Sequence, residues 1–322
     1  MGVALTYRRA ARCKVRGQRI IRGPYLNKNN SLAIVSLLTA ALVWGLIWFP
    51  YRALDEAGVG GALATFLTYF LALLPGLTLL RGRTSQITRS GWLLAAMALA
   101  AGWCNLAYVL ATIRGEVMQV MLLFYLAPLW TVVFARVLLG ERPGPAGYCV
   151  IALSLGGAVI MLGRTGLDLP LPRSGAEWLG LSSGMAFALT NVLSRKARHV
   201  DVAIRSLSVW VGVSLVALPV MLLVEDPVRS LRALDEYAWL LVVLLAVVIF
   251  SVNLVVQYGL ANTGANQAIV IFLSELVFAA VGSYVLASEA MTWRQWLGGV
   301  MVVAATLYSG RLQRAAERSA YA

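Results

Sequence analysis

NLAYVLATIRGEVMQVMLLF, residues 105–124, lies over NLVVQYGLANTGANQAIVIF, residues 253–272, at a shift of 148 positions and without a gap. Asn105 falls on Asn253, Leu106 on Leu254, Gln119 on Gln267 and Phe124 on Phe272. The register continues outward, with Val133 on Val281, Val137 on Val285, Leu138 on Leu286 and Glu141 on Glu289. Polar groups are costly inside apolar helices, so amides recurring at one register are hard to ascribe to chance. Toward the amino terminus a smaller shift sets Arg52 on Arg195 and Trp48 on Asn191, and one residue more sets Pro75 on Pro219. The chain therefore reads as two copies of one unit.

The solvent of that unit is lipid. Of the 322 residues 60% are hydrophobic and 13% are charged, about half the charged fraction usual in soluble domains. A soluble fold of this size could not cover so much apolar surface. Runs of about 20 apolar residues, the length that crosses a bilayer, lie near 31–53, 61–80, 90–112, 117–139, 146–163, 175–195, 204–224, 236–260, 265–287 and 293–311. The expected architecture is all-α and integral to the membrane: ten transmembrane helices in two five-helix repeats. The first repeat is expected over 31–163 and the second over 175–311, between a basic tail at 1–30 and a short tail at 312–322. The first run is too long for a signal-peptide core and lacks a small-residue cleavage site, so it is expected to stay as a helix.

Basic residues choose the orientation. With the amino terminus inside, 20 of the 27 Lys and Arg residues fall in cytoplasmic segments, which puts both termini in the cytoplasm. A five-span unit is odd, so the second copy enters the membrane inverted. Inverted repeats are characteristic of secondary transporters, with a substrate site near the midplane where the repeats meet. The net charge of +13 does not point to nucleic acid. Eight positive charges stand in one acid-free tail before the first span, where anionic lipid headgroups attract them.

Glu275 is the acid placed deepest in a span, and a carboxylate there is a functional candidate by default. It either holds a substrate ammonium, takes up a coupling proton, or stands protonated against a neighbouring helix such as the one bearing Asn253. Trp44, Trp48 and Arg52 recur every fourth residue on one helix face. Tyr69, Trp103, Tyr108, Phe124 and Tyr125 add aromatic walls in the same half. The candidate substrate-binding residues are thus Trp44, Trp48, Tyr69, Trp103, Tyr108, Gln119, Tyr125, Gln267 and Glu275. Asn105 and Asn253 are expected as a structural polar pair. Pro75, Pro128 and Pro219 are candidate hinges. Gly156-Gly157 and Gly298-Gly299 leave open whether they pack helices within one monomer or between monomers.

Several chemistries find no support. The chain has no G-x-x-x-x-G-K-[ST] nucleotide loop. The one histidine, His199, lies in a loop, and Cys13, Cys104 and Cys149 form no CxxC pair. No cofactor, metal or enzymatic activity is expected. No lysine or arginine lies mid-span, as a phosphate carrier would want. The pathway suits a neutral or zwitterionic solute instead.

Trp44-Gly45, Trp48 and Arg52 resemble the W-G-x-x-[FW]-x-x-x-[KR] opening of the drug/metabolite transporter superfamily in its EamA-type branch. The stretch Phe124-Tyr125-Leu126-Ala127-Pro128-Leu129, closing with Leu138-Leu139-Gly140-Glu141, and the glycines Gly156-Gly157 resemble the same branch. The likeness runs over residues 31 to 311 and is greatest to the aromatic amino-acid exporters of the YddG group. It implies a ten-helix inverted repeat in the bacterial inner membrane that exports amino acids or related metabolites. The chain departs from the pattern in two places: Phe187-Ala188 stands where a Trp-Ala pair reopens the second half, and Glu275 stands where its repeat partner is Ala127.

Overall fold

A computed structural model describes residues 29–80, 87, 89–140, 145–162, 172–197, 199–262, 271–272 and 274–321. The basic tail and Gln267 lie outside the described residues. In chain order the helices are α1 Asn29–Leu46, α2 Trp48–Glu56, α3 Gly61–Gly76, α4 Gly91–Arg114, α5 Val117–Phe124, α6 Ala127–Leu139 and α7 Pro145–Leu162. They continue as α8 Gly175–Lys196, α9 Val202–Val224, α10 Pro227–Arg232, α11 Glu236–Asn262, α12 Ser274–Ala287 and α13 Trp293–Tyr321. No strand occurs among the described residues. Each of the ten apolar runs contains one of these helices or an adjoining pair. Among the described residues five stretches meet the length and composition of a membrane span: Leu32–Glu56, Gly91–Arg114, Val117–Leu139, Val202–Val224 and Glu236–Val256. The last helix runs on to Tyr321, past the boundary expected at 311. The helix-forming sequence RLQRAAERSAY accounts for that extension.

Proline sets two of the breaks. It cannot donate a backbone hydrogen bond, and its ring crowds the carbonyl four residues back. Four residues before Pro50 is Leu46, where α1 ends. Four residues before Pro128 is Phe124, where α5 ends. Of the other two expected hinges, Pro75 lies one residue before the end of α3, which passes into a 3-10 turn over Leu77–Leu80, and Pro219 lies inside α9, which runs on to Val224.

Helix packing follows the repeat. α8 lies on α4 and α1 on α11; α9 lies on α4 and α3 on α11; α6 lies on α8 and α12 on α1. Each pair is the other's counterpart when the halves are exchanged. Beside α6, α5 also lies on α8, and two further contacts, α3 with α9 and α7 with α13, map onto themselves. The principal contacts therefore join one half to the other. In the last pair a side chain on Gly157 would sit 2.9 Å from the Gly298 carbonyl oxygen, so these glycines bring two helices of the same chain together.

Loop contacts sort into two faces. On one, the Glu225 carboxylate accepts from the Ala62 and Leu63 amides at 2.8 and 3.2 Å, closing the first turn of α3. On the other, Ser90 meets His199 at 3.0 Å and Lys196 Nζ donates to the Leu138 carbonyl at 3.3 Å. Under the orientation expected from the charge asymmetry, the second face is the cytoplasmic one.

Candidate functional site

The motif on α1 and α2 is read out by α12. Trp44 stacks on Phe272 with ring centroids 5.8 Å apart. A side chain on Gly45 would lie 2.8 Å from the Glu275 carbonyl oxygen and 3.0 Å from Phe278 Cβ, so the crossing requires glycine. Trp48 has no exposed surface, donates from Nε1 to the Gly45 carbonyl at 2.9 Å and packs with Leu276 and Ala279. Arg52 ends the strip on Glu289, 3.1 Å away.

Glu275 stands in the first turn of α12, half-buried. The Tyr125 hydroxyl donates to its Oε2 at 2.8 Å, with the Phe272 carbonyl oxygen 3.3 Å from the same hydroxyl. Tyr125 occupies the break between α5 and α6 that Pro128 imposes. Interrupted helices of this kind supply the binding groups of inverted-repeat transporters. Around the pair, Phe124 meets Tyr108 and Tyr125 edge-on at 5.7 Å each, and Phe187 of α8 at 5.1 Å. The contacts Trp44–Phe272 and Phe187–Phe124 are counterparts under the repeat. Two aromatic contacts are thus placed symmetrically about one asymmetric carboxylate.

A carboxylate of this kind accepts hydrogen bonds from an ammonium group and leaves oxygen lone pairs free after the phenol has donated. Ring faces nearby attract the same cation and cover an apolar body. Among the described residues no cluster of His, Cys, Asp or Glu could hold a metal ion.

The remaining candidates lie elsewhere. Tyr69 is buried and donates to Asn105 Oδ1 at 2.6 Å, joining α3 to α4. Asn105 and Asn253 do not pair with each other across the halves. Each instead returns its Nδ2 to its own helix, to Ala101 at 2.8 Å and Ile249 at 2.9 Å, again as repeat counterparts. Trp103 lies on an exposed face, its Nε1 on Ser182 Oγ at 3.2 Å. Gln119 accepts from Gln295 Nε2 at 3.1 Å at the start of α5, beside Glu116 and away from Glu275. Trp44, Tyr108, Tyr125 and Glu275 are brought together, and Trp48 lies in the apolar layer adjoining them. Phe272 and Phe187 were not singled out from sequence as wall residues. The signal for them was present, since one matches Phe124 under the repeat and the other takes the place of an expected tryptophan.

Residues 31–163 and 174–311 each match the EamA-like transporter family. An uncharacterized transporter of Archaeoglobus fulgidus is 28% identical over 209 residues, which is 64% of this chain and 71% of that protein. A solved crystal structure of a protein superposes at a TM-score of 0.55 and 20% identity, over 89% of this chain and 99% of that one, a likeness of fold. With the duplicated match spanning most of its length, the chain belongs to the EamA-like transporter family.

Proposed function

We propose that this transporter moves neutral or zwitterionic amino acids with aromatic or large apolar side chains out of a bacterial cell, across the inner membrane, by alternating access. The observation that carries the reading is the Tyr125–Glu275 hydrogen bond at a helix break, walled by Trp44, Phe272, Tyr108, Phe124 and Phe187. Glu275 takes the substrate ammonium, and the rings cover its side chain. Two halves that pack across the repeat can rock about this midplane point and expose it to each side in turn. The basic tail holds the first span to anionic headgroups on the cytoplasmic leaflet.

The test is uptake of labelled amino acids into proteoliposomes, with a proton gradient on or off. Saturable uptake competed by aromatic or large neutral amino acids is expected, lowered at least about tenfold by Glu275→Gln, the loss of one charge-assisted contact. Silence across the panel in sealed vesicles, with amines and sugars accepted instead, would overturn the amino-acid assignment. Transport unaltered by Glu275→Gln would remove the carboxylate from it.

A further inference from the structure

We propose that Arg52 and Glu289 form the gate that seals the non-cytoplasmic mouth of the pathway. The inference rests on the transporter reading above and adds a part to it. Arg52 Nη1 donates to Glu289 Oε1 at 3.1 Å, bridging two residues 237 positions apart and in different repeats. The same guanidinium donates from Nε and Nη2 to the Thr112 carbonyl at 3.2 and 2.8 Å, and from Nη2 to the Gly115 carbonyl at 2.8 Å. Its plane lies over the Trp48 ring at 5.0 Å. Glu289 in turn accepts from the Val117 amide at 2.8 Å. One charge pair thus ties the ends of α2, α4 and α12 to the start of α5.

Position makes it a gate. Beside it lies a cavity of about 360 Å³, lined by Phe49, Arg52, Ala53, Glu56, Leu286 and Ser288 among others, with Trp48 shared between this cavity and the layer beneath. On its inner side Trp48, Val117, Met118, Met121, Leu276 and Ala279 form a buried apolar layer. Tyr108 and Tyr125 pack beneath that layer, and Tyr125 holds Glu275. The pair therefore stands between that cavity and the candidate substrate site.

Its chemistry is reversible. The two side chains keep 20% and 17% of their surface exposed, so water from the cavity can take over their hydrogen bonds when the helices part. A fully desolvated pair would resist that exchange, because separating it strands a buried charge. Ser288 adopts φ 55, the one non-glycine residue with positive φ among the described residues, and turns the chain so that Glu289 follows α12 directly. A strained residue beside a switching contact is where such strain is expected. At the opposite face the described contacts are Ser90 with His199, Lys196 with the Leu138 carbonyl and the Trp92 ring, Arg205 with Ser194, and an apolar cluster that includes Leu93, Met97, Leu193 and Ile204. In this conformation the Arg52–Glu289 face is tied shut.

The test reads accessibility and needs no substrate. In full-length protein carrying Cys13→Ala, Cys104→Ala and Cys149→Ala, Met121→Cys places a thiol in the apolar layer, where Met121 has no exposed surface. A membrane-impermeant maleimide is applied from the non-cytoplasmic side of membrane vesicles. Slow labelling is expected with the pair intact, and labelling about tenfold faster with Glu289→Gln, since losing the charge shifts the closed–open balance. Folding is checked by monodispersity in detergent. If Glu289→Gln does not fold, Glu289→Asp, which keeps the charge and shortens the reach, carries the same comparison. Equal labelling rates in folded protein, or fast labelling with the pair intact, would overturn the gate. Amino-acid transport alongside equal rates would sink the gate alone. Faster labelling without transport of any amino acid would leave the gate standing and fail the substrate assignment.

Discussion

Glu275 accepts one hydrogen bond from Tyr125 and has about three lone-pair positions left on its two oxygens. Tyr125→Phe keeps the ring against Phe124 and removes the donor, so the carboxylate loses its fixed orientation. The expected result is a substrate Kd raised by about five- to tenfold, from a contact of about 1–1.5 kcal/mol, measured by ligand-dependent change in intrinsic fluorescence. Trp44→Ala and Phe187→Ala remove symmetric ring contacts worth about 0.5–1.5 kcal/mol each. If the walls cover an aromatic side chain, both are expected to weaken binding of aromatic amino acids more than of alanine; equal weakening of both would count against that role. At the edge of the bundle, Glu225 caps the first turn of α3 through two amides. Glu225→Ala is expected to lower stability by about 0.5–2 kcal/mol, the range for a lost cap, measured by thermal unfolding in detergent.

Elements meet where side chains are small or absent. α1 crosses α12 at Gly45, close enough that an added Cβ would press on the Glu275 carbonyl and Phe278. Gly45→Leu therefore forces the helices apart, and a loss of about 1–3 kcal/mol is expected, as for overpacked cores. The loss is read as a lower midpoint of thermal unfolding, and an unchanged midpoint would mean the crossing yields freely. The α5–α6 break has the opposite character. Pro128→Ala restores the missing donor and relieves the crowding at Phe124, so the fourth span should become more continuous and more stable. Transport is expected to fall as the unfolding midpoint rises, because Tyr125 would then turn with the helix. The prediction fails if transport survives the change.

Taken whole, the molecule is two halves that hold each other. Among the described residues the main contacts across them, the one between α5 and α8 aside, have a counterpart or are their own counterpart, so exchanging the halves' roles largely preserves the packing. The proposed alternating access needs that property, since one architecture must then open to either side. The orientation expected from charge is checked by a pair of cysteines. Glu56→Cys and Lys196→Cys are both exposed positions at opposite faces. An impermeant thiol reagent applied to intact cells is expected to reach the first and not the second; the reverse would invert the assigned topology.

Hydropathy, helix ends and the 148-residue repeat are properties of order along the chain, and order alone determined them. A span must bury its backbone in lipid whatever its neighbours do, so the helical runs and their two copies were legible in the residues. The proline break after Phe124 and the placing of Glu275 within a span were legible for the same local reason. Side-chain partnership was not. Gln119 looked like a pathway amide because it matched Gln267, yet it meets Gln295 near the outer mouth. Asn105 and Asn253 matched each other and both return Nδ2 to their own helices, while nothing in the match gave Tyr69 as the donor to Asn105 Oδ1. Arg52 and Glu289, 237 positions apart, each had a repeat counterpart of like charge, and nothing in that pattern joined them. Which groups meet depends on helix rotation and crossing distance, set by glycines such as Gly45 and by packing against the other half. Those contacts exist only in three dimensions, and there the tertiary structure alone decided.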